Sequence, residues 1–281
     1  MAKKKLLIIT GITGFVGSSL IKNKSFLESF DILGVNSKEY FSVKNKLEII
    51  NKNVFIDKVK NYKDVSLVHL ATFYDLNEDN KKLIYQANYS FGIEFIETLY
   101  KNKISINSIL YTNTAFIFSK DENIRKSSYV ISKDNFSEYL NEFAKKKDIN
   151  LIEIYLSNTF GLGDKRKKLI PNMIESIKSG EEFVINNPSA FINILDIEIL
   201  IEEFFKILNL NKSFKCSMLS KYEFSITSIY EFLNSYINNK KTNEIISKIS
   251  SDGDLLPANV NNKYFEFNLS KSLMKICNHL S

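Results

Sequence analysis

Leu6-Leu7-Ile8-Ile9-Thr10-Gly11-Ile12-Thr13-Gly14-Phe15-Val16-Gly17 is the stretch whose reading decides the fold. Its apolar opening, rich in Leu and Ile, reads as a buried parallel strand that breaks directly into glycines at 11, 14 and 17. A strand, a tight turn and a helix start therefore follow one another. Gly11 permits the turn, Gly14 lets the backbone approach a pyrophosphate with no Cβ in the way, and Gly17 allows the helix to lie close to the strand. The N–H groups at the helix N-terminus then face the phosphates.

Composition bounds what such a unit can belong to. With 281 residues, 44% of them apolar, the chain can bury a substantial core, as one large α/β domain or as a nucleotide domain plus a smaller lobe. The formal charge of +6 comes almost wholly from lysines scattered among Asn and Ile, since Arg125 and Arg166 are the only arginines. That dispersal reads as solvated surface with some attraction for anionic substrates, not as a nucleic-acid-binding face. Cys216 and Cys277 are too few and too far apart for a disulfide framework, which points to a reducing, cytoplasmic setting. Lys3-Lys4-Lys5 and the apolar run after it imitate an export signal, but the run is short and ends in the glycine turn. No stretch is long enough to span a bilayer, and no repeat or metal-ligand cluster stands out.

Outward from the opening motif, a helix is expected from Gly17 to about Phe30 and a second strand over Asp31–Val35. In NAD-binding units of this kind an acidic residue about twenty positions past the glycines accepts bonds from the ribose hydroxyls. Asn36-Ser37-Lys38 stands there instead, with a cation and no carboxylate to repel a 2′-phosphate, which favours NADP(H) over NAD(H). The stretch from 39 to 65 is informative only for a strand near Asn53–Ile56. A buried strand over Ser66–Thr72, a helix from about Asp79 to Tyr100 and a strand over Ile106–Tyr111 follow. The alternation predicts an α/β fold, a Rossmann-type doubly wound parallel sheet with right-handed crossovers. Residues 1–163 are assigned to this domain and 164–281 mainly to a smaller α+β substrate lobe, with the chain returning to the first domain around 190–210.

The chemistry is expected where the strand through Tyr111 ends. Ser127 or Ser128 can cap a helix running through Phe143, and on it Tyr129 and Lys133, four apart, share one face. A phenol titrates near pH 10, but a neighbouring ammonium favours the phenolate, so the pair can exchange a proton with a carbonyl or carbinol oxygen. Thr114 can donate a second hydrogen bond to that oxygen as charge develops on it during hydride transfer.

With these pieces in order, the chain resembles an extended short-chain dehydrogenase/reductase of the nucleotide-sugar epimerase, dehydratase and reductase type. Thr10–Gly17 matches that family's TGxxGxxG, Val68-His69-Leu70-Ala71-Thr72 resembles its HLA segment, and Asn88 falls on its structural asparagine. Thr112–Phe118 resembles the stretch holding the catalytic Ser/Thr, followed by Tyr129 and Lys133. Asn158–Asp164 resembles the N-x-YGPGD segment, and Phe191–Asp196 the later DFxxVxD segment. Within the family, the Val-His-Leu-Ala-Thr-Phe-Tyr run, the Thr-Asn-Thr block and Tyr-Val-Ile-Ser-Lys look most like the CDP-abequose/CDP-paratose synthase branch, reductases of 4-keto-deoxysugars.

The resemblance implies catalysis by Thr114, Tyr129 and Lys133. It implies a cofactor held by Gly11, Thr13, Gly14, Phe15, Val16, Gly17, Asn36, Ser37, Lys38, Leu70, Ala71, Thr72, Asn88 and Thr112 together with Tyr129 and Lys133. A nucleoside-diphosphate sugar would meet Phe73, Tyr74, Thr114, Asn158 and Arg166. The 4,6-dehydratases carry Asp-Glu just after the catalytic Thr, where this chain has Ala115 and Phe116, so dehydration is disfavoured. The family's diphosphate-binding arginine falls on Ala190 or Phe191 and is absent. NADPH-dependent ketoreduction is the leading reading. A C4-epimerase with retained NAD, a simple-carbonyl reductase and a non-catalytic NADP-binding protein are the alternatives. His69 reads as a packed strand histidine, neither histidine is an obvious partner for Cys216, and apolar surface on the helices at 79–100 and 128–147 suggests a homodimer.

Overall fold

In a computed structural model of the protein, residues 5–37, 39–43, 46–75, 78–251 and 260–280 are described. They divide into two compact units, Met1–Tyr155 with Ile201–Cys216, and Leu156–Leu200 with Ser217–Ser281.

The first unit begins with β1 (Lys5–Thr10), α1 (Phe15–Leu20), α2 (Lys24–Ser29) and β2 (Phe30–Asn36), followed by β3 (Glu39–Val43), β4 (Leu47–Ile50), α3 (Lys52–Lys60) and β5 (Val65–His69). Next come α4 (Lys81–Tyr85), a π-helical turn over Gln86–Ser90 and α5 (Phe91–Lys101), then β6 (Ser108–Thr114), a 3-10 turn at Ala115–Phe118, α6 (Glu122–Arg125), α7 (Ser128–Lys147) and β7 (Asn150–Leu156). The second unit holds β8 (Asn158–Phe160), α8 (Leu169–Ser179) and β9 (Phe191–Asp196). The chain returns to the first unit through α9 (Ile197–Leu208) and leaves it along β10 (Phe214–Ser220). It closes with β11 (Tyr222–Ser225), α10 (Ile226–Ile237), β12 (Ser247–Ile249), β13 (Asn261–Phe265) and α11 (Leu269–Leu280).

The sheet of the first unit runs β10-β7-β6-β5-β1-β2-β3-β4. β1 pairs in parallel with β2 and β5, and β5 in parallel with β6. Leu6, Leu7, Ile8 and Ile9 are completely buried, as a central parallel strand covered on both faces must be. Each contributes on the order of 1.5–3 kcal/mol of burial. β8 and β9 pair in parallel in the second unit, while β11 is antiparallel to both β9 and β12. Phe160, Met173, Ile174, Phe224, Ile229, Phe232 and Leu273 form the core of that α+β unit.

The expected α/β, largely parallel architecture is therefore what the chain adopts, with two local corrections. The strand expected near Asn53–Ile56 is the helix α3. Asn51 Oδ1 accepts a bond from Val54 N at 2.9 Å, and Phe55, Ile56 and Val59 recur on one buried face. The single helix expected from Gly17 to about Phe30 is two, because Asn23 interrupts it and caps α2 by accepting from Ser25 N and Phe26 N. The β3–β4 hairpin adds two antiparallel strands that the lysine- and asparagine-rich sequence concealed.

Two glycines set how the opening motif packs. A Cβ on Gly17 would lie 2.4 Å from Gly11 O and 2.7 Å from Ile12 Cα, both backbone atoms that cannot yield. A Cβ on Gly34 would collide with Ile12 Cδ1 at 2.2 Å, so β2 leaves the notch that the buried Ile12 side chain fills. Gly17→Ala is therefore expected to lower stability by about 1–3 kcal/mol in urea unfolding, the usual range for forced overpacking. Gly14→Ala should cost less, since its Cβ would meet only Gly11 O, at 3.1 Å.

Candidate active site

Three segments leave the carboxyl edge of neighbouring parallel strands, the position where α/β sheets hold ligands: the glycine turn after β1, Leu70–Asp75 after β5, and Thr114 closing β6. Gly11 takes φ +70° in that turn, and Gly14 N-caps α1 with no side-chain cap bond. Thr10 joins the first two segments. Its Oγ1 accepts from Leu70 N at 3.2 Å and Ala71 N at 3.3 Å and meets His69 Nδ1 at 3.0 Å.

With two N–H groups on its oxygen, Thr10 directs its O–H to His69 Nδ1, which leaves the imidazole proton on Nε2. That nitrogen has no hydrogen-bond partner among the described residues. Burial, with Lys133 nearby, holds the pKa of His69 down to about 3, so it is a neutral ring packed on Phe136, 4.7 Å between centroids. The expected packed strand histidine is what the sequence produces.

Helix α7 carries the central pair. Ser127 caps it, and Glu78 Oε1 accepts from Ser128 N at 2.5 Å, a carboxylate at a helix N-terminus. The Lys81 ammonium at 2.8 Å and the Ser128 N–H hold the pKa of Glu78 down to about 2. Tyr129 is buried, its ring edge-on to Tyr74 with centroids 5.0 Å apart. Ile84 and Val130 pack with it, and Phe73, Phe116 and Ile117 line the same patch. Phe73 and Tyr74, expected beside a substrate, and Phe116, two residues after Thr114, thus converge on the phenol.

Lys133 is 3% exposed, its Nζ 5.9 Å from the centroid of the Tyr129 ring and 5.1 Å from that of Tyr111. Burial pushes its pKa down to about 7, against the opposing pull of Glu153. Tyr111 OH donates to Lys133 O at 3.0 Å, and burial raises the phenol's pKa, so it stays a donor. Thr114 Oγ1 accepts from Phe116 N at 3.2 Å, which leaves its O–H to donate.

Asn88, expected beside a cofactor, makes four hydrogen bonds within the protein. Its Oδ1 accepts from Thr72 Oγ1 at 3.0 Å and Phe73 N at 2.7 Å, while Nδ2 donates to Phe73 O at 3.1 Å and Ser132 Oγ at 3.2 Å. Two lone pairs and two hydrogens are all used. Asn88, buried on the π-helical turn, is a strut between the segment after β5 and α7. Thr112 is likewise turned into the sheet, its hydroxyl donating to His69 O at 3.3 Å.

Asn36 closes β2, and Ser37, at φ +53°, starts the turn into β3; Lys38 lies outside the described residues. Asn158 and Arg166 belong to the second unit. Asn158 opens β8, and the Arg166 guanidinium is held by Asp164 (Nε to Oδ1 2.7 Å, Nη2 to Oδ2 2.8 Å) and by Thr159 O at 2.7 Å. Lys168 nearby, not singled out in the sequence, has its pKa held down to about 8 by burial and by Arg166. Also missed are Ser132, Glu78 and Glu153. A lone carboxylate in the apolar run Leu151–Leu156 was the available signal for the last.

No helix among the described residues is long and apolar enough to cross a membrane. The sequence profile of the NAD-dependent epimerase/dehydratase family matches residues 7–195. The chain is 25% identical over 242 residues to an ADP-L-glycero-D-manno-heptose-6-epimerase of Brachyspira hyodysenteriae, covering 75% of each chain. It is 25% identical over 193 residues to a CDP-abequose synthase of Salmonella typhimurium, covering 64% of this chain and 62% of that one. Among solved structures it is similar in fold to UDP-glucose 4-epimerase of Thermus thermophilus in complex with NAD, with TM-score 0.72, 12% identity and 97% and 98% of the two chains covered. RMD of Pseudomonas aeruginosa complexed with NADPH gives TM-score 0.69 at 14% identity, covering 98% of each. The match over residues 7–195 takes in the glycine turn, Thr114, Tyr129 and Lys133, and the chain belongs to the NAD-dependent epimerase/dehydratase family.

Proposed function

We propose that the protein is an NADPH-dependent reductase of a 4-keto sugar carried on a nucleoside diphosphate. The observation that carries the reading is the buried Tyr129 with Lys133 one turn behind it, on a helix face lined by Phe73, Tyr74 and Phe116. The glycine turn, open at Gly14 and closed at Gly17, fits a dinucleotide pyrophosphate, and Gly11, Thr13, Gly14, Phe15, Val16 and Gly17 would hold it. Asn36 and Ser37 at the end of β2 offer no carboxylate to a ribose 2′-phosphate, which supports NADP(H) over NAD(H). When bound, the reduced nicotinamide supplies the hydride.

The chain's own groups handle the oxygen of the ketone. Thr114 donates one hydrogen bond to it, and Tyr129 donates a second and then gives up its proton as the carbonyl becomes an alkoxide. The Lys133 ammonium stabilises the phenolate left behind, which regains its proton from solvent only after the product has left. Phe73, Tyr74, Phe116 and Ile117 exclude water from the phenol and strengthen these contacts. Ala115 and Phe116 hold no acid or base that could remove water from the sugar. The similarity to CDP-abequose synthases and to a heptose epimerase supports a nucleotide sugar as the substrate class.

Tyr129→Phe should lower ketone-dependent NADPH oxidation by about 10²–10⁴-fold, with NADPH still bound as followed by its fluorescence. Wild-type rates in that variant would reject the mechanism. Because Lys133 titrates near 7, its ammonium is present below that pH and lost above it, so kcat for reduction should fall as pH rises through about 7. A flat profile between roughly pH 6 and 9 would remove the ammonium from the reaction. Asn36→Asp should shift preference from NADPH towards NADH in kcat/KM. Protein that purifies with bound NAD and interconverts nucleotide sugars without added reductant would replace the reductase reading by an epimerase.

A further inference from the structure

A buried carboxylate supports this site from β7, the strand beside β6. Glu153 lies mid-strand in β7 between the buried Ile152 and Ile154 and is 1% exposed. Its Oε1 accepts from Asn113 Nδ2 at 2.7 Å and from Ser137 Oγ at 2.5 Å, and its Oε2 is paired with Lys215 Nζ at 2.8 Å. Burying an ionised group is costly unless its partners are complete, and a packed apolar side chain would serve a strand as well.

What the partners have in common is their place in the chain. Asn113 immediately precedes Thr114, and its Oδ1 accepts from Thr114 N at 2.8 Å. Ser137 stands one helical turn beyond Lys133 and about two beyond Tyr129 on α7. A single carboxylate oxygen therefore ties the end of β6 that presents the Thr114 hydroxyl to the helix that presents the phenol and the ammonium. Resting on the reading above, we infer that Glu153 is a positioning residue of the reduction: through Asn113 and Ser137 it fixes the separation between Thr114 and the Tyr129–Lys133 pair. Its charge acts in the same sense, opposing the loss of the Lys133 proton that burial favours.

The test compares Glu153→Ala, Glu153→Gln, Asn113→Ala and the Glu153→Ala/Asn113→Ala double variant in the full chain. The assay is NADPH oxidation with CDP- and dTDP-linked 4-keto-6-deoxyglucose, and thermal unfolding checks each fold. Glu153→Ala and Asn113→Ala should each lower kcat about 10²-fold, the cost of misplacing a reacting group by about an ångström, with KM for the sugar and Kd for NADPH within about twofold. In Glu153→Gln the amide oxygen still accepts both bonds, so that variant should stay within about fivefold of wild type. The double variant should be no slower than the slower single one, since both break the same chain.

A folded Glu153→Ala protein with wild-type kcat overturns the assignment. So does a Glu153→Gln variant as slow as Glu153→Ala, a KM rising in step with the fall in kcat, or additive losses in the double variant. If Glu153→Ala does not fold, Asn113→Ala decides, because it leaves Glu153 bonded to Ser137 and Lys215. Wild-type protein inert towards both sugars overturns the reductase reading itself, and this assignment with it.

Discussion

At the first turn, backbone comes so close to backbone that α1 can seat against β1 only because Gly17 brings no Cβ between Gly11 O and Ile12. Ile12 in turn fills the space that Gly34 leaves open on β2. Two absent side chains thus fix the direction in which α1 leaves β1 and the contact of the turn with its neighbour strand. The same turn touches the segment after β5, where Thr10 Oγ1 accepts from the amides of Leu70 and Ala71. The direction of the glycine turn and the placement of Phe73 and Tyr74 are therefore consequences of one packing arrangement, set within the first third of the chain.

The second requirement is to hold a charged helix face against that edge. Helix α7 buries Lys133, and an ammonium in such surroundings loses stability unless other groups hold the helix in place. The attachments are spread along its length. Glu78 binds the Ser128 amide at the N-terminus, Asn88 reaches Ser132, Tyr111 donates to Lys133 O, and Glu153 accepts from Ser137. Each joins α7 to a different segment: the residues after β5, the π-turn, β6 and β7. The helix is thereby pinned in rotation as well as in position, and four-residue spacing alone could not do that for Tyr129 and Lys133.

These attachments also explain what the sequence reveals and what it hides. The strand-turn-helix at the start is legible because apolar periodicity and glycine spacing are local properties, and so is a cap of α7 at Ser127 or Ser128, of which the chain uses Ser127. The pairing of Tyr129 with Lys133 follows from helical periodicity. Helix α3 passes for a strand because Val54, Phe55 and Ile56 look like one until Asn51 is recognised as a cap. The β3–β4 hairpin is hidden for a different reason: its stability comes from long-range packing, such as the Tyr40 ring against Phe55 at 4.9 Å. The roles of Asn88 and Glu153 are out of reach because they depend on partners tens of residues away in the chain.

Hydrogen-bonding capacity sorts the residues around the site more sharply than motif membership does. Asn88 spends both lone pairs and both hydrogens within the protein, and Thr10 directs its oxygen to two amides and its proton to His69. The side-chain bonds of such residues hold the segments around the site together. Thr114 accepts once and keeps its O–H, and the Lys133 ammonium is a donor of up to three bonds. A family motif groups saturated and unsaturated residues together. The distinction follows from counting partners: under the proposed reduction, the chemistry falls to groups with donors to spare and the geometry to groups already satisfied.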